Sequence, residues 1–212
     1  MGLIIGLDFH GPCMLEYRVA LLKSDLAWKF WRIYIAPEEF LKGYLIDRGL
    51  LSRERFEKLR TLVYEDWHYV STIPHTPGLK KSVEMLLRCG HQVVIITTAS
   101  GKAGEMVDRW LRRQKLPALP RISCPTGKAN LLKSLGQQGF VNHLGEPSGL
   151  DIYIDNQLRI LDPLVGTGPK LFFFKEQFDN PHQINKSIQV VHNWRELRTE
   201  ICRFCYQKHR LL

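Results

Sequence analysis

The chain has 212 residues, enough to bury a full core with or without a small accessory lobe, and 44% are hydrophobic, as in an ordinary globule. Five cysteines, an odd number at irregular spacing, argue against a disulfide framework and for a reducing compartment. The formal charge of +9 suits phosphorylated ligands or nucleic acid by long-range steering, but Lys and Arg are spread along the chain as on a generic solvated surface.

The first element is the apolar run Leu3-Ile4-Ile5-Gly6-Leu7, which stops abruptly at Asp8. A buried parallel strand looks like this when it delivers a carboxylate to the mouth of an α/β sheet. The run is short and has no Lys or Arg before it, so it does not read as a signal peptide. No run approaches membrane-spanning length, and the expected location is the cytoplasm.

Residues 14–75 change character. They are patterned like helices and hold half of the chain's aromatic residues, among them Trp28, Trp31, Tyr34, Tyr44, Tyr64 and Trp67. At helical spacing most of these rings are expected to form the segment's own core, with one or two facing a ligand.

From Pro74 the pattern alternates. Pro77-Gly78 is a turn signal, Leu79 to Arg88 has helical spacing, and Gly90 fits a helix stop. Val93 to Ile96 is a β-branched strand running into Thr97-Thr98. A helix with Met106, Val107, Trp110 and Leu111 on one face follows, and 128–138 reads as another. Ile152-Tyr153-Ile154 is a strand ending in Asp155-Asn156. Leu171 to Phe174 reads as the last apolar strand, and 193–210 as an amphipathic helix. Alternating strand and helix implies a doubly wound parallel sheet, with ligands beyond the carboxyl ends of the strands. Asp8, Thr97 and Asp155 each sit just past such a strand.

Residues Leu3 to Pro12 resemble the first motif of the haloacid dehalogenase-like (HAD) phosphotransferase superfamily. Three further elements occur in that superfamily's order: Thr97 after its apolar strand, Lys128 in Pro125-Thr126-Gly127-Lys128, and Asp155 closing Leu150 to Asp155. The resemblance implies an α/β core from 1–13 and 74–212, with a small helical cap at 14–73. It implies Asp8 as the nucleophile, and Thr97, Thr98 and Lys128 as phosphate ligands. It also implies Mg²⁺ held by Asp8, the His10 backbone carbonyl and Asp155, with Asn156 as a further candidate. The superfamily's phosphatases mostly carry a second Asp two residues after the nucleophile, as general acid and base. Here that position is His10, and imidazole is competent for both roles. Ile73 to Gly78, Phe173-Phe174, Asp179 to Asn185 and Val191 to Leu197 are similar to the 5′(3′)-deoxyribonucleotidase-like branch, a resemblance that is weak across 14–72.

The chemistry needs these residue types. A carboxylate is a weak nucleophile and faces a phosphate dianion that repels it. A divalent cation offsets the repulsion, while a lysine and a hydroxyl stabilise the equatorial oxygens.

Plainer readings stand beside several of these residues. Asp8 could cap a helix, Thr98 and Ser100 could cap the helix after them, and Lys102 or Lys133 could fill the role of Lys128. Gly127-Lys128 is not a P-loop, because Ile122 stands where the first glycine belongs. Cys202, Cys205 and His209, with His192, suggest zinc, but buried apolar cysteines on one helix face explain the spacing equally well. Cys13 lies near the turn without a His-plus-acid arrangement. Arg109, Arg112, Arg113 and Lys115 read as a solvated helix face.

The expectation is therefore a Mg²⁺-dependent phosphomonoesterase acting on a small phosphorylated metabolite such as a nucleotide. The rivals are a metal-independent enzyme such as a dehalogenase, and a non-catalytic module binding a phosphorylated ligand or RNA. No membrane partner is expected, nucleic acid is disfavoured as a partner, and the oligomeric state is left open.

Overall fold

The computed structural model describes residues 2–42, 44–125, 127–141, 147–175 and 183–210. The opening apolar run forms β1 (Ile4–Leu7), buried along its whole length because parallel neighbours flank it on both sides. After it come four helices, α1 (Glu16–Trp31), α2 (Pro37–Lys42), α3 (Arg53–Glu65) and α4 (Trp67–Val70). The alternating part continues with α5 (Leu79–Arg88), β2 (Gln92–Thr97), α6 (Gly101–Arg113), β3 (Arg121–Ser123) and α7 (Lys128–Gln138). A short hairpin, β4 (Phe140–Val141) with β5 (Pro147–Ser148), leads to β6 (Ile152–Asp155), α8 (Leu158–Leu161), β7 (Lys170–Phe174), β8 (Ile188–Val191) and α9 (Trp194–Arg210).

The main sheet has six strands in the order β3-β2-β1-β6-β7-β8, all parallel. From β1 the chain builds outward through β2 and β3. It then crosses to the other side of β1 and builds outward again through β6, β7 and β8. The direction reverses between β1 and β6, and ligands of open α/β sheets bind at that switch. Asp8 and Asp155 stand at the carboxyl ends of those two strands.

Strand parity sorts the core into two layers. Ile5, Leu7, Val93, Ile95, Ile152, Ile154, Phe172 and Phe174 face α5, α6 and α9, and that buried cluster runs on without a break into the inserted helices through Val19, Leu26, Leu59 and Val63. Ile4, Val94, Ile96, Tyr153, Leu171 and Phe173 face the side of α7 and α8. Gly6 is required in the central strand, since a Cβ there would come within 2.8 Å of Ile96 and 3.0 Å of Tyr153.

Two strands depart from the sequence expectation. Leu171 to Phe174 is not the last strand, because β8 pairs with it as an edge. Ile188–Val191 is only half-buried along its middle, and β3 is three partly exposed residues beginning with Arg121. Short edge strands with polar residues carry little hydrophobic periodicity. The aromatics of 14–75 also differ from expectation. None is fully buried, and Trp28, Phe30, Tyr34 and Tyr44 are exposed. The segment's core is aliphatic instead, built from Val19, Ala20, Leu26, Ala27, Ile35, Leu45, Leu51, Leu59, Val63 and Val70. Among the described residues no helix is long and apolar enough to cross a membrane.

Candidate active site

Asp8 is the first residue beyond β1. Its backbone N–H still donates to the Ile154 carbonyl of β6 at 2.9 Å, so its position is tied to the sheet. The chain then turns sharply. Gly11 adopts a left-handed φ of +79°, and a Cβ there would fall 2.5 Å from the Asn156 side chain, so only glycine fits. Three bonds from distant residues fasten the turn. The Thr76 hydroxyl donates to the Gly11 carbonyl at 2.8 Å, the Trp194 indole N–H to the Pro12 carbonyl at 2.7 Å, and the Thr76 N–H to the Cys13 carbonyl at 2.8 Å.

Lys128 opens α7 and reaches across the switch point. Its Nζ donates to Asp8 Oδ1 at 2.6 Å and to Asp155 Oδ2 at 2.7 Å. All three side chains are buried, with relative exposures of 4% for Asp8, 6% for Lys128 and 0% for Asp155. Lys102 and Lys133 are exposed on their helices and have no such contact. The Tyr153 hydroxyl donates to Asp155 Oδ2 at 2.7 Å, and the Gln157 N–H donates to Oδ1 at 2.9 Å.

Burial sets the electrostatics. It raises the Asp8 pKa against the opposing pull of Lys128. Asp155 is raised to about 6 by burial and by the charge of Asp8, with Lys128 and Tyr153 opposing. Burial alone would lower Lys128, but the two carboxylates outweigh it and hold the ammonium above its ordinary value. Two carboxylates share one cation here, so the cluster is short of positive charge.

Asn156 is partly buried beside this cluster. Its Nδ2 donates to a carboxylate oxygen of Glu16 in the first turn of α1, while its Oδ1 is buried with no hydrogen-bond partner among the described residues. A magnesium ion takes hard oxygen ligands, commonly one or two carboxylates completed by water and substrate oxygens. Asp8, Asp155 and the orphan Asn156 oxygen meet that description. Among the described residues no three or more His, Cys, Asp or Glu side chains are grouped as a metal cage. In the zinc motif considered from the sequence, Cys202 is exposed and Cys205 partly buried, and the side chain of His209 lies outside the described residues.

Thr97 closes β2 and is fully buried, its hydroxyl accepting from the Ala99 N–H at 3.2 Å. Thr98 is exposed and lines the open cleft, as does Ser100, whose side chain makes no capping bond to α6. Thr97, Lys128, Asp8 and Asp155 thus converge at the ends of the two central strands and β2.

The cleft has a volume of about 1230 Å³ and lies between the strand ends and the inserted helices. His10 is in its wall, with its ring edge-on to Phe9 at 5.1 Å and to Tyr64 at 4.7 Å. Burial, with the positive charges of Lys23 and Lys128, pushes the imidazole down to about 3. It is neutral at physiological pH. Of the inserted aromatics, Phe40, Tyr44, Phe56 and Tyr64 line the cleft, whereas Trp28 and Trp31 do not. Arg109 lies 4.0 Å from the Trp67 ring centre and the Arg113 Nε donates to the Ser71 carbonyl at 3.2 Å, so part of that basic face clasps α4.

Sequence reasoning misses Glu16, Lys23 and Tyr153 as members of this region. Tyr153 and Asp155 are two apart on a strand and share a face, which is a readable signal. Glu16 and Lys23 are seven apart on α1 and share a helical face, but nothing in the sequence says which way that face looks.

A parallel sheet with two acids at its switch point defines a class of α/β proteins that handle charged ligands there, and comparison with known proteins makes the class specific. A predicted phosphatase from Clostridium acetobutylicum superposes with a TM-score of 0.65 at 12% identity, covering 96% of this chain and 99% of that one. A HAD family hydrolase from Deinococcus radiodurans, solved with bound phosphate and sodium, also gives 0.65, at 13% identity and 96% coverage of both chains. The chain has the haloacid dehalogenase-like fold, as its first motif implied. No family model matches the chain. Over 128 residues it is 29% identical to a provisionally named nucleotidase from Oceanobacillus iheyensis, covering 60% of this chain. The match spans 62% of that relative's length.

Proposed function

We propose that this protein is a Mg²⁺-dependent phosphomonoesterase working through a phosphoryl-aspartate on Asp8. The observation that carries the reading is the buried Asp8–Lys128–Asp155 cluster at the switch point, whose chain neighbours Phe9, His10 and Asn156 line a cleft large enough for a nucleotide. Asp8 attacks phosphorus, the bond to the leaving oxygen breaks, and an acyl phosphate forms. Lys128 and the Thr97 hydroxyl, with Thr98 at the cleft mouth, hold the phosphoryl oxygens. Asp8, Asp155, Asn156 Oδ1 and the His10 carbonyl would hold magnesium, which supplies charge neutralisation between nucleophile and phosphate. Water then hydrolyses the acyl phosphate and returns Asp8.

In this reading His10, in the cleft wall two residues after Asp8, protonates the leaving oxygen. It is neutral at rest, so it acts as an acid only once a phosphate dianion in the cleft raises its proton affinity. The helices of 16–70 serve as the cap that shapes the leaving-group side. Phe40, Tyr44, Phe56 and Tyr64 in that wall, and the nucleotidase name of the relative, support a nucleotide as substrate. The five free cysteines support a cytoplasmic location.

The test is phosphate release from a panel of phosphomonoesters, nucleotides included, with Mg²⁺ and with chelator. Release that depends on Mg²⁺ supports the proposal. No release from any member favours the binding-module reading.

A further inference from the structure

Lys23 is a cation of the cleft that the chemistry at Asp8 does not use. Its Nζ donates to the Tyr64 hydroxyl at 3.3 Å and lies 4.9 Å from the centre of that ring and 5.9 Å from that of Phe56. No described carboxylate forms a salt bridge with it. One of its three N–H groups is used by Tyr64, and the half-buried side chain presents its ammonium to the cleft. Burial pushes its pKa down to about 8, with Glu16 opposing and Arg60 adding to the fall.

Arg60 lies on α3 four residues before Tyr64, one turn along the same face, and also lines the cleft. It is paired with Glu57 at 2.7 Å, but that pair is exposed and such pairs are weak. Two cations thus stand close enough to repel each other across the leaving-group side of the cleft. The Glu16 carboxylate also lines the cleft but already accepts a hydrogen bond from Asn156, so the two cations favour an anionic occupant. The Tyr64 ring lies 4.9 Å from the Lys23 Nζ and 4.7 Å from the His10 ring, so the anion would sit on the His10 side of the cleft.

We propose that Lys23, supported by Arg60, forms a subsite for a second anionic group on the leaving-group side of the substrate. The substrate class is then a phosphomonoester of an alcohol that itself bears a carboxylate or a further phosphate. The position of the first phosphate rests on the phosphatase reading above, whereas the subsite rests on the two cations.

Binding separates the two. The full chain carrying Asp8→Asn is titrated calorimetrically, with Mg²⁺, against two matched pairs. One pair is 3-phosphoglycerate against glycerol 3-phosphate, which adds a carboxylate. The other is adenosine 3′,5′-bisphosphate against adenosine 5′-monophosphate, which adds a phosphate. The expected result is that the more anionic member of at least one pair binds about tenfold or more tightly, the scale of one charge-assisted hydrogen bond. The pair that shows it identifies the anion. Adding Lys23→Gln removes the preference within the pair, and Lys23→Arg retains it. Arg60→Gln, an exposed position, weakens it and serves if Lys23→Gln does not fold. Equal affinities within both pairs, no binding of any member at millimolar concentration, or a preference that survives both Gln variants would overturn the proposal. A wild-type protein that hydrolyses no phosphoester yet shows the Lys23-dependent preference would keep the subsite and remove the phosphatase reading.

Discussion

Glu16 and Asn156 are 140 positions apart, and the Glu16 carboxylate accepts a hydrogen bond from the Asn156 side-chain amide. A carboxylate only accepts, so it dictates which end of the amide faces it. The other end, Oδ1, is left buried and without a hydrogen-bond partner among the described residues. Glu16 is thereby a positioning residue: through Asn156 it ties the first inserted helix to the end of β6. Glu16→Gln, which can donate as well as accept, releases the amide to flip. Mg²⁺ affinity measured by calorimetry should fall about 10–100-fold, as for other residues that orient metal ligands. Unchanged affinity would show that Asn156 Oδ1 is not a ligand.

Removing Lys128 leaves two buried carboxylates facing each other. Lys128→Met should cost about 3–5 kcal/mol in urea unfolding near neutral pH, the usual penalty for stranding a buried charge. Part of the loss should return in mild acid, because either carboxylate can then take a proton. A loss within the range of an ordinary surface substitution would contradict the buried cluster.

His10 gives a pH dependence of definite sign. Its folded-state pKa, about 3, lies below the 6.5 of the free side chain. The unfolded chain therefore binds the proton more tightly across that interval. The His10 contribution to stability is complete above pH 6.5 and is lost as pH falls toward about 3. Asp155 acts in the opposite sense: raised from 3.8 to about 6, it contributes stability at low pH that is lost as pH rises through about 6. Comparing wild type with His10→Asn isolates the first effect. The variant should lose less stability on acidification, and the imidazole NMR shifts of His10 should stay those of the neutral ring at mildly acidic pH. An ordinary imidazole titration near 6.5 would contradict the burial argument.

The inserted aromatics divide by position. Tyr44 lines the cleft and Trp28 is 51% exposed elsewhere on the surface. Tyr44→Ala should raise KM for nucleotides more than for a small aryl phosphate, while Trp28→Ala should leave the ranking of substrates unchanged. The reverse pattern would move the leaving-group wall to the outer face of α1.

Much of the site is legible in the sequence. Asp8, Thr97 and Asp155 each end an apolar run, and parallel strands bring such ends together wherever the chain places them. Lys128 is readable as the first residue of a helix after a glycine, and only the geometry separates it from Lys102 and Lys133. The partners across the cleft are not legible. Glu16, Lys23 and Tyr64 owe their places to how α3 packs on α6 and α1 packs on α3, which local pattern does not reveal. The rings at Trp28, Phe30 and Tyr34 mislead because aromatic residues at helical spacing suggest a core, yet these lie outside it.

The central claim is that Asp8 is a phosphoryl acceptor. The most direct measurement is phosphate release from p-nitrophenyl phosphate with Mg²⁺ by the wild type, Asp8→Asn and Asp8→Ala side by side, with folding checked by thermal unfolding. The prediction is turnover by the wild type and at least about a thousandfold less in both folded variants, the scale of losing a catalytic nucleophile. Variants that fold and still hydrolyse at a rate near that of the wild type would contradict it.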